Sequence, residues 1–398
     1  MQSVSSTLLK SRSIHQTKVI VLSPLSNGIL QSFTATNDQQ IAQFAAVRDP
    51  SISKLLIQLY HIFGHLRNQN ISACIELILS TLALVGSLIK SQDSSSSDGS
   101  SPSPLSIPAL TGTLQALSTL ARRLFKSATT NSISLGSPQT LLDAFRIEYA
   151  HMRRDAKNDI EKKTAMVVVL IEMIKICVVD LSNPNIIESI LASTQGILDT
   201  DDDHSTLPKS ISATYHFYLS KHHLFLDNFD QSRTELQSAL KQLISSMTNT
   251  NRVLFHLIPL QLVRGIFPSK NWLKNSHPVV FQTYYPIIRA IRSRNLEKLH
   301  DLLDEQVVLK QTFFFLLKHL DLLVFRLILK DIVFLNGGKK QVSFSLFEDI
   351  VGPTISSSEI FAILIQQGMI NGYISYEENV LVLTGSNPFP PGPWVINI

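Results

Sequence analysis

His61 and His65 stand four residues apart, the spacing at which two imidazoles share one face of a helix and can hold a metal. A zinc-hydrolase helix also carries Glu directly after its first His. Ile62 occupies that place and no third ligand is suggested, so ordinary packing explains the pair. His222 and His223 are adjacent and point to different faces of a helix. The acidic run from Asp199 to His204 is not a calcium loop, because its sixth residue is not Gly and its twelfth, Ser210, is not Glu. Asn336-Gly337-Gly338-Lys339-Lys340 lacks the spacing of a phosphate loop and follows a helical pattern, so it reads as a turn. With no nucleophile elbow, paired-carboxylate signature or redox Cys pair, we expect no catalytic residue, no cofactor and no metal site.

Charge is the remaining chemistry. The chain of 398 residues has a net charge of only +4, but its distribution is uneven. Met1 to His204 carries 17 basic and 17 acidic residues, Arg252 to Lys340 carries 14 basic against 6 acidic, and Gln341 to Ile398 has no Lys or Arg and 5 acidic residues. A basic surplus confined to one segment is the footprint of a binder of phosphate backbones or acidic proteins. Arg289, Arg292, Arg294, Arg326, Lys330, Lys339 and Lys340 are the candidate nucleic-acid contacts, in competition with solvated faces or pairs with Asp301, Asp304, Asp321 and Asp331. Aromatic interleaving is modest, so backbone-directed, sequence-tolerant binding to RNA or DNA is expected.

The elements that must position these residues are helices. Hydrophobic residues make up 44% of the chain and glycines number only 15, a poor composition for a turn-rich β fold. Leu55, Leu56, Leu59, Ile62 and Phe63 follow helical spacing, as do Leu114, Leu117, Leu120 and Leu124. Ser91 to Pro108, rich in Ser, Asp and Pro, reads as a disordered surface loop. Ser72 to Ile89 is the best membrane-span candidate, but Glu76 and its Ser-rich exit favour a buried helix. Residues 1–20 lack the pattern of a secretory signal, so export is not expected. Cys74 and Cys177 lie in apolar helical surroundings far apart in sequence, which fits a reducing compartment. Ala165 to Val179 and Ile186 to Ile197 are further helices, and a pair follows from Tyr215 to Leu226 and Phe229 to Leu243 around the turn Asp227-Asn228.

The C-terminal end changes character. Ser343 to Ile350 predicts a short helix, and Ser356 with Glu359 predicts a capping box opening a helix from Ile360 to Gln367, stopped by Gly368. Gly372 to Ser375 and Val380 to Leu383 then predict a hairpin. Helix, helix, hairpin is the order of a winged helix. The predicted fold is mainly α, a tetratricopeptide-like helical solenoid followed by a C-terminal winged helix. It divides into an undefined segment at 1–48, helical repeats at 49–205, a further helical part at 206–340, and the winged helix and tail at 341–398. Within the winged helix, Met369 and Tyr373 are the candidate partner-binding residues.

One order of residues carries a resemblance. Tyr218-Leu219-Ser220-Lys221, Leu224 and Asn228-Phe229 come first, then Asn251-Arg252, Leu257-Ile258-Pro259, Leu262, Gly265 and Pro268. Ala290-Ile291 and Asn295-Leu296 follow, then Gly368 through Ser375, and finally Asn387-Pro388-Phe389-Pro390. This order resembles PCI-domain proteins, in the branch of the mRNA-export PCI subunit and its signalosome-associated paralogue, over about Ile211 to Pro390. The resemblance implies a non-catalytic, nuclear scaffold of transcription-export complex 2, acting at nuclear pores. Its implied partners are a larger PCI scaffold subunit, a small acidic Sem-type protein and nucleic acid bound on a basic surface. Alternatives are the paralogue linked to the signalosome and splicing, and a proteasome-lid or translation-initiation PCI subunit. Where the family has Ser-Lys near the hairpin end this chain has Thr384-Gly385, which leaves its winged helix without a basic residue.

Overall fold

The computed structural model describes residues 50–91, 106–130, 137–155, 159–198, 207–243, 247–305, 307–352 and 356–391. The N-terminal segment before Pro50, most of the Ser-rich loop and the run from Asp199 to His204 lie outside the described residues. The chain divides into two compact units, Met1–Leu226 and Asp227–Ile398. The two helices flanking Asp227-Asn228, predicted as a pair, fall in different units.

The first unit contains α1 (Pro50–Arg67), α2 (Ile71–Ser91), α3 (Ile107–Thr130), α4 (Pro138–Asp155), α5 (Ile160–Lys175), α6 (Glu188–Leu198) and α7 (Lys209–Phe225). α1 packs on α2 and α2 on α3, while α3, α4 and α7 all pack on α5. α2 is long and apolar enough to cross a membrane. Its Cys74, Ile78, Leu82 and Val85 are buried in the core, while Ser72, Glu76, Ser80 and Ser87 form an exposed stripe at near-helical period.

α5 is buried on every side from Lys162 to Lys175, as expected of a helix at the centre of a layered core. Asp159 caps its start by accepting from the Glu161 N–H at 2.8 Å. Its buried Glu172 carboxylate accepts from Lys175 Nζ (2.6 Å) and from Ser118 Oγ (2.8 Å), so that charge is compensated. A single π turn, Ile176–Asp180, ends the helix, and Asp180 pairs with Arg122 of α3. Burial pushes the Cys74 thiol up to about 12 and the Cys177 thiol up to about 11, which keeps both protonated and unreactive.

Glu148 of α4 is the counter-example to Glu172. Its carboxyl is buried, its Oε2 has no hydrogen-bond partner, and it occupies the space a Cβ would need at Gly86 of α2. Burial pushes this carboxyl up to about 7. Between the ordinary value of 4.5 and about 7 the folded chain therefore holds a proton that the unfolded chain releases. Stability falls as pH rises through that window, by up to about 3 kcal/mol. Glu148→Gln, neutral throughout, should remove this slope: thermal melting is expected to match wild type at about pH 5 and to exceed it at about pH 8. Gly86→Ala should lower stability at both.

The second unit begins with α8 (Phe229–Gln242), α9 (Met247–Val263), α10 (Lys270–Ser276), α11 (Pro278–Arg292), α12 (Leu296–Glu305) and α13 (Val307–Leu335). α9 packs on α8, α11 and α13. Pro259 lies inside α9 and lacks the N–H that would bond the Phe255 carbonyl one turn earlier. The buried Tyr284 of α11 donates its hydroxyl to that carbonyl at 2.6 Å and its ring meets Phe255 edge-on. The missing helical bond is thus replaced by a tertiary one.

After α13 come β1 (Gln341–Ser343), α14 (Phe344–Val351), α15 (Ser357–Gln366), β2 (Gly372–Ser375) and β3 (Val380–Leu383). The sheet order is β1-β3-β2, all antiparallel, with Val342 opposite Leu381 and Tyr373 opposite Val382. Helices α14 and α15 between β1 and the hairpin complete a winged helix. β1 was not foreseen, because three residues make a strand only when β3 arrives to pair with them. The predicted capping box does not form. Ser356 makes no side-chain cap bond, and Glu348 of α14 accepts from Ser357 Oγ at 2.6 Å and from the Ser357 N–H at 3.4 Å. A carboxylate from the preceding helix therefore caps α15. Gly368, at φ 68°, takes the left-handed conformation that ends it. Phe347 and Phe361, with ring centroids 4.9 Å apart, form the aromatic core, and Phe325 of α13 meets Phe347 at 6.1 Å.

Candidate nucleic-acid and partner interface

All seven sequence-predicted basic residues lie in the second unit, but they do not form one surface. Arg326 must be withdrawn. It is 8% exposed, its Nε donates to the Met369 carbonyl (2.9 Å), its Nη2 donates to the Pro390 carbonyl (2.8 Å), and its guanidinium lies over the Phe389 ring. Burial lowers its pKa, yet two carbonyls aimed at it hold the cation in place. Its place is inside the winged-helix junction.

Arg294 is also occupied. It sits at φ 55° in the turn after α11, where Nη2 donates to Asp331 Oδ1 (3.0 Å) and Nε stands 2.7 Å from Oδ2. That two-point pair fixes the end of α11 against α13 and neutralises the charge meant for phosphate. Lys340 is exposed and donates to the Gly385 carbonyl at 2.7 Å, while Lys339 is exposed in the turn and Lys330 on α13.

Arg289 and Arg292 remain, both exposed on α11, and here the structure adds what the sequence reading missed. Phe281 and Tyr285 of the same helix stack at 4.6 Å with planes 20° apart. Lys270 Nζ of α10 lies 5.1 Å from the centre of the Tyr285 ring, and the Arg292 guanidinium lies 5.0 Å from that of Phe267. A hydrogen bond from Lys270, helped by the fields of Arg289 and Arg292, lowers the Tyr285 phenol below its ordinary value. Trp272 meets His277 edge-on at 4.9 Å. From Leu236 to Leu296 the sequence has no Asp or Glu and eight Lys or Arg, a signal legible in the sequence at this narrower window.

Of the two partner candidates, Met369 is 1% exposed and is core, so it is withdrawn as a contact. Its neighbourhood is built by the tail: the Asn371 N–H donates to the Pro388 carbonyl (2.9 Å) and Asn371 Nδ2 to the Asn387 carbonyl (3.0 Å). Tyr373 is 56% exposed on the outer face of the sheet, beside Val382. Tyr376, Ile350, and Phe334 and Leu335 at the end of α13 are exposed as well. Among the described residues, no group of three His, Cys, Asp or Glu is placed to hold a metal ion.

The architecture defines the class, a mainly helical array closed by a winged helix. No family model matches the chain. It is 28% identical over 198 residues to the PCI domain-containing protein 2 homolog of Drosophila melanogaster, covering 47% of this chain and 49% of that protein. It is 26% identical over 229 residues to the Enhanced ethylene response protein 5 of Arabidopsis thaliana, covering 53% of each. The Protein CSN12 homolog of Schizosaccharomyces pombe is 27% identical over 198 residues, 47% of each. The chain spans about half the length of the curated relatives it matches. Over about half its length the chain is thus similar in sequence to PCI-domain proteins, and a helical array followed by a winged helix is the fold that this similarity implies.

Removing the Arg326 side chain takes a buried cation and its hydrogen bonds to the Met369 and Pro390 carbonyls out of the winged-helix junction. Arg326→Ala should destabilise the second unit by about 2–4 kcal/mol in chemical denaturation, whereas Lys330→Ala should stay within about 0.5 kcal/mol of wild type.

Proposed function

We propose that this chain is a non-catalytic scaffold subunit of a nuclear complex coupling transcription to mRNA export, transcription-export complex 2. Its proposed partners are a larger PCI scaffold protein, a small acidic Sem-type subunit and nucleic acid, with residence in the nucleus at the pore. The observation that supports the assembly part is that the winged helix leaves large apolar side chains in solvent, Tyr373, Tyr376 and Ile350, while Phe347 and Phe361 pack inside it. Apolar side chains exposed on a finished module await another protein. The export part rests on the resemblance around Gly368 to Ser375 and Asn387 to Pro390. Nucleic acid is assigned to Arg289, Arg292, Lys330, Lys339 and Lys340 along the helical part. Glu377 and Glu378, at the tip of the hairpin, keep phosphate away from the winged helix.

A second reading, the signalosome-associated paralogue linked to splicing, is favoured by relatives named CSN12 homologs. Affinity purification with mass spectrometry separates the two, since each predicts a different large PCI partner. Tyr373→Glu should cut recovery of that partner several-fold with an unchanged melting temperature, because the ring is on the surface. Full recovery with Tyr373→Glu would reject this face of the sheet as the docking site.

A further inference from the structure

We propose that α11 and the segment before it form a stacking surface for single-stranded nucleic acid, on which a base extends the Phe281–Tyr285 stack from the Phe281 side while Lys270, Arg289 and Arg292 hold the backbone. This rests on the nucleic-acid reading above and changes its chemistry, from contact with phosphate alone to contact with phosphate and base. Phe281, Tyr285, Arg289 and Arg292 recur at spacings of four, four and three residues, which places them on one face of α11. Trp272 is exposed before the start of the helix and Phe267 lies beneath Arg292 at its end, so two rings followed by two cations run along a helix of about 22 Å. That length accommodates a few nucleotides.

Two features select the ligand. First, the stretch from Leu236 to Leu296 has no acidic residue, so no carboxylate within it repels phosphate or pairs with its cations. Second, the Phe281–Tyr285 stack is half-buried, with its cations arranged around it and Trp272 exposed nearby in sequence. An acidic peptide needs only the cations. A duplex keeps its base faces hidden and offers the rings nothing, whereas every unpaired base has a π face. Affinity is therefore expected to be tolerant of sequence and dependent on strandedness.

The test uses the full chain and fluorescence anisotropy at low salt. The probes are a short labelled oligouridylate, an abasic strand of equal length and an RNA duplex. The variants are Phe281→Leu with Tyr285→Leu, Tyr285→Phe alone, and Arg289→Glu with Arg292→Glu. Removing both rings should weaken oligouridylate binding about tenfold or more and leave the abasic strand and the salt slope unchanged. Tyr285→Phe should bind as wild type. The charge variant should weaken every probe and reduce the salt slope by about two. Equal effects of ring removal on oligouridylate and the abasic strand would overturn the stacking surface and leave the phosphate reading standing. Failure of wild type to bind any strand, or tighter binding to polyglutamate than to oligouridylate, would overturn both. If the ring-free variant does not fold, wild type with a 2-aminopurine strand decides: quenching on binding supports stacking, and unaltered fluorescence rejects it.

Discussion

A buried guanidinium is tolerated only where its donors find acceptors, and the second unit is arranged around one. Arg326 projects from α13, the helix that contacts α9, α11 and α12 as well as β1 and α15. Its acceptors are the carbonyls of Met369, just past the end of α15, and Pro390, in the tail after the hairpin. One side chain thus ties α13 both to the residue just past the last helix of the winged helix and to the returning tail. Carbonyls from two places so far apart in sequence would not converge on one side chain by hydrophobic packing alone, which is non-directional. The aromatic set Phe325, Phe347, Phe361 and Phe344 packs edge to face between α13 and the winged helix, while the Phe389 ring lies under the Arg326 guanidinium.

Charge is segregated by element in this unit. The helical part carries the cations and the winged helix carries only acids, so an anionic chain meets attraction along α11 and repulsion at the hairpin tip. Apolar contacts and ionic contacts are likewise apart: Tyr373 and Ile350 face solvent on the acidic module. In the proposed scaffold, partner and nucleic acid then occupy different surfaces and need not compete.

Much of the backbone was legible in the sequence because periodicity and punctuation are local. The helices on either side of Asp227-Asn228, the stop at Gly368 and the hairpin all follow from residues within a few positions of each other. What escaped is non-local. β1 depends on β3 some forty residues later, and the cap on α15 comes from Glu348 rather than from its own first turn. Basic residues looked alike in the sequence, yet burial made Arg326 structural, pairing with Asp331 made Arg294 structural, and solvent left Arg289 and Arg292 available. The stacked rings Phe281 and Tyr285 are four residues apart and so were legible, but Phe267 and Lys270 lie before α11 and reach its face only after folding.

The bond from Tyr284 to the Phe255 carbonyl has a kinetic meaning. A proline in the middle of α9 leaves a gap that water can fill only until the helix is buried. From that moment the helix is whole only in the presence of α11, so neither element has an independent low-energy form in the dry interior. Local helix formation and tertiary docking thereby share one bond. A chain built this way leaves the Phe255 carbonyl without its Tyr284 donor whenever α11 comes loose from α9.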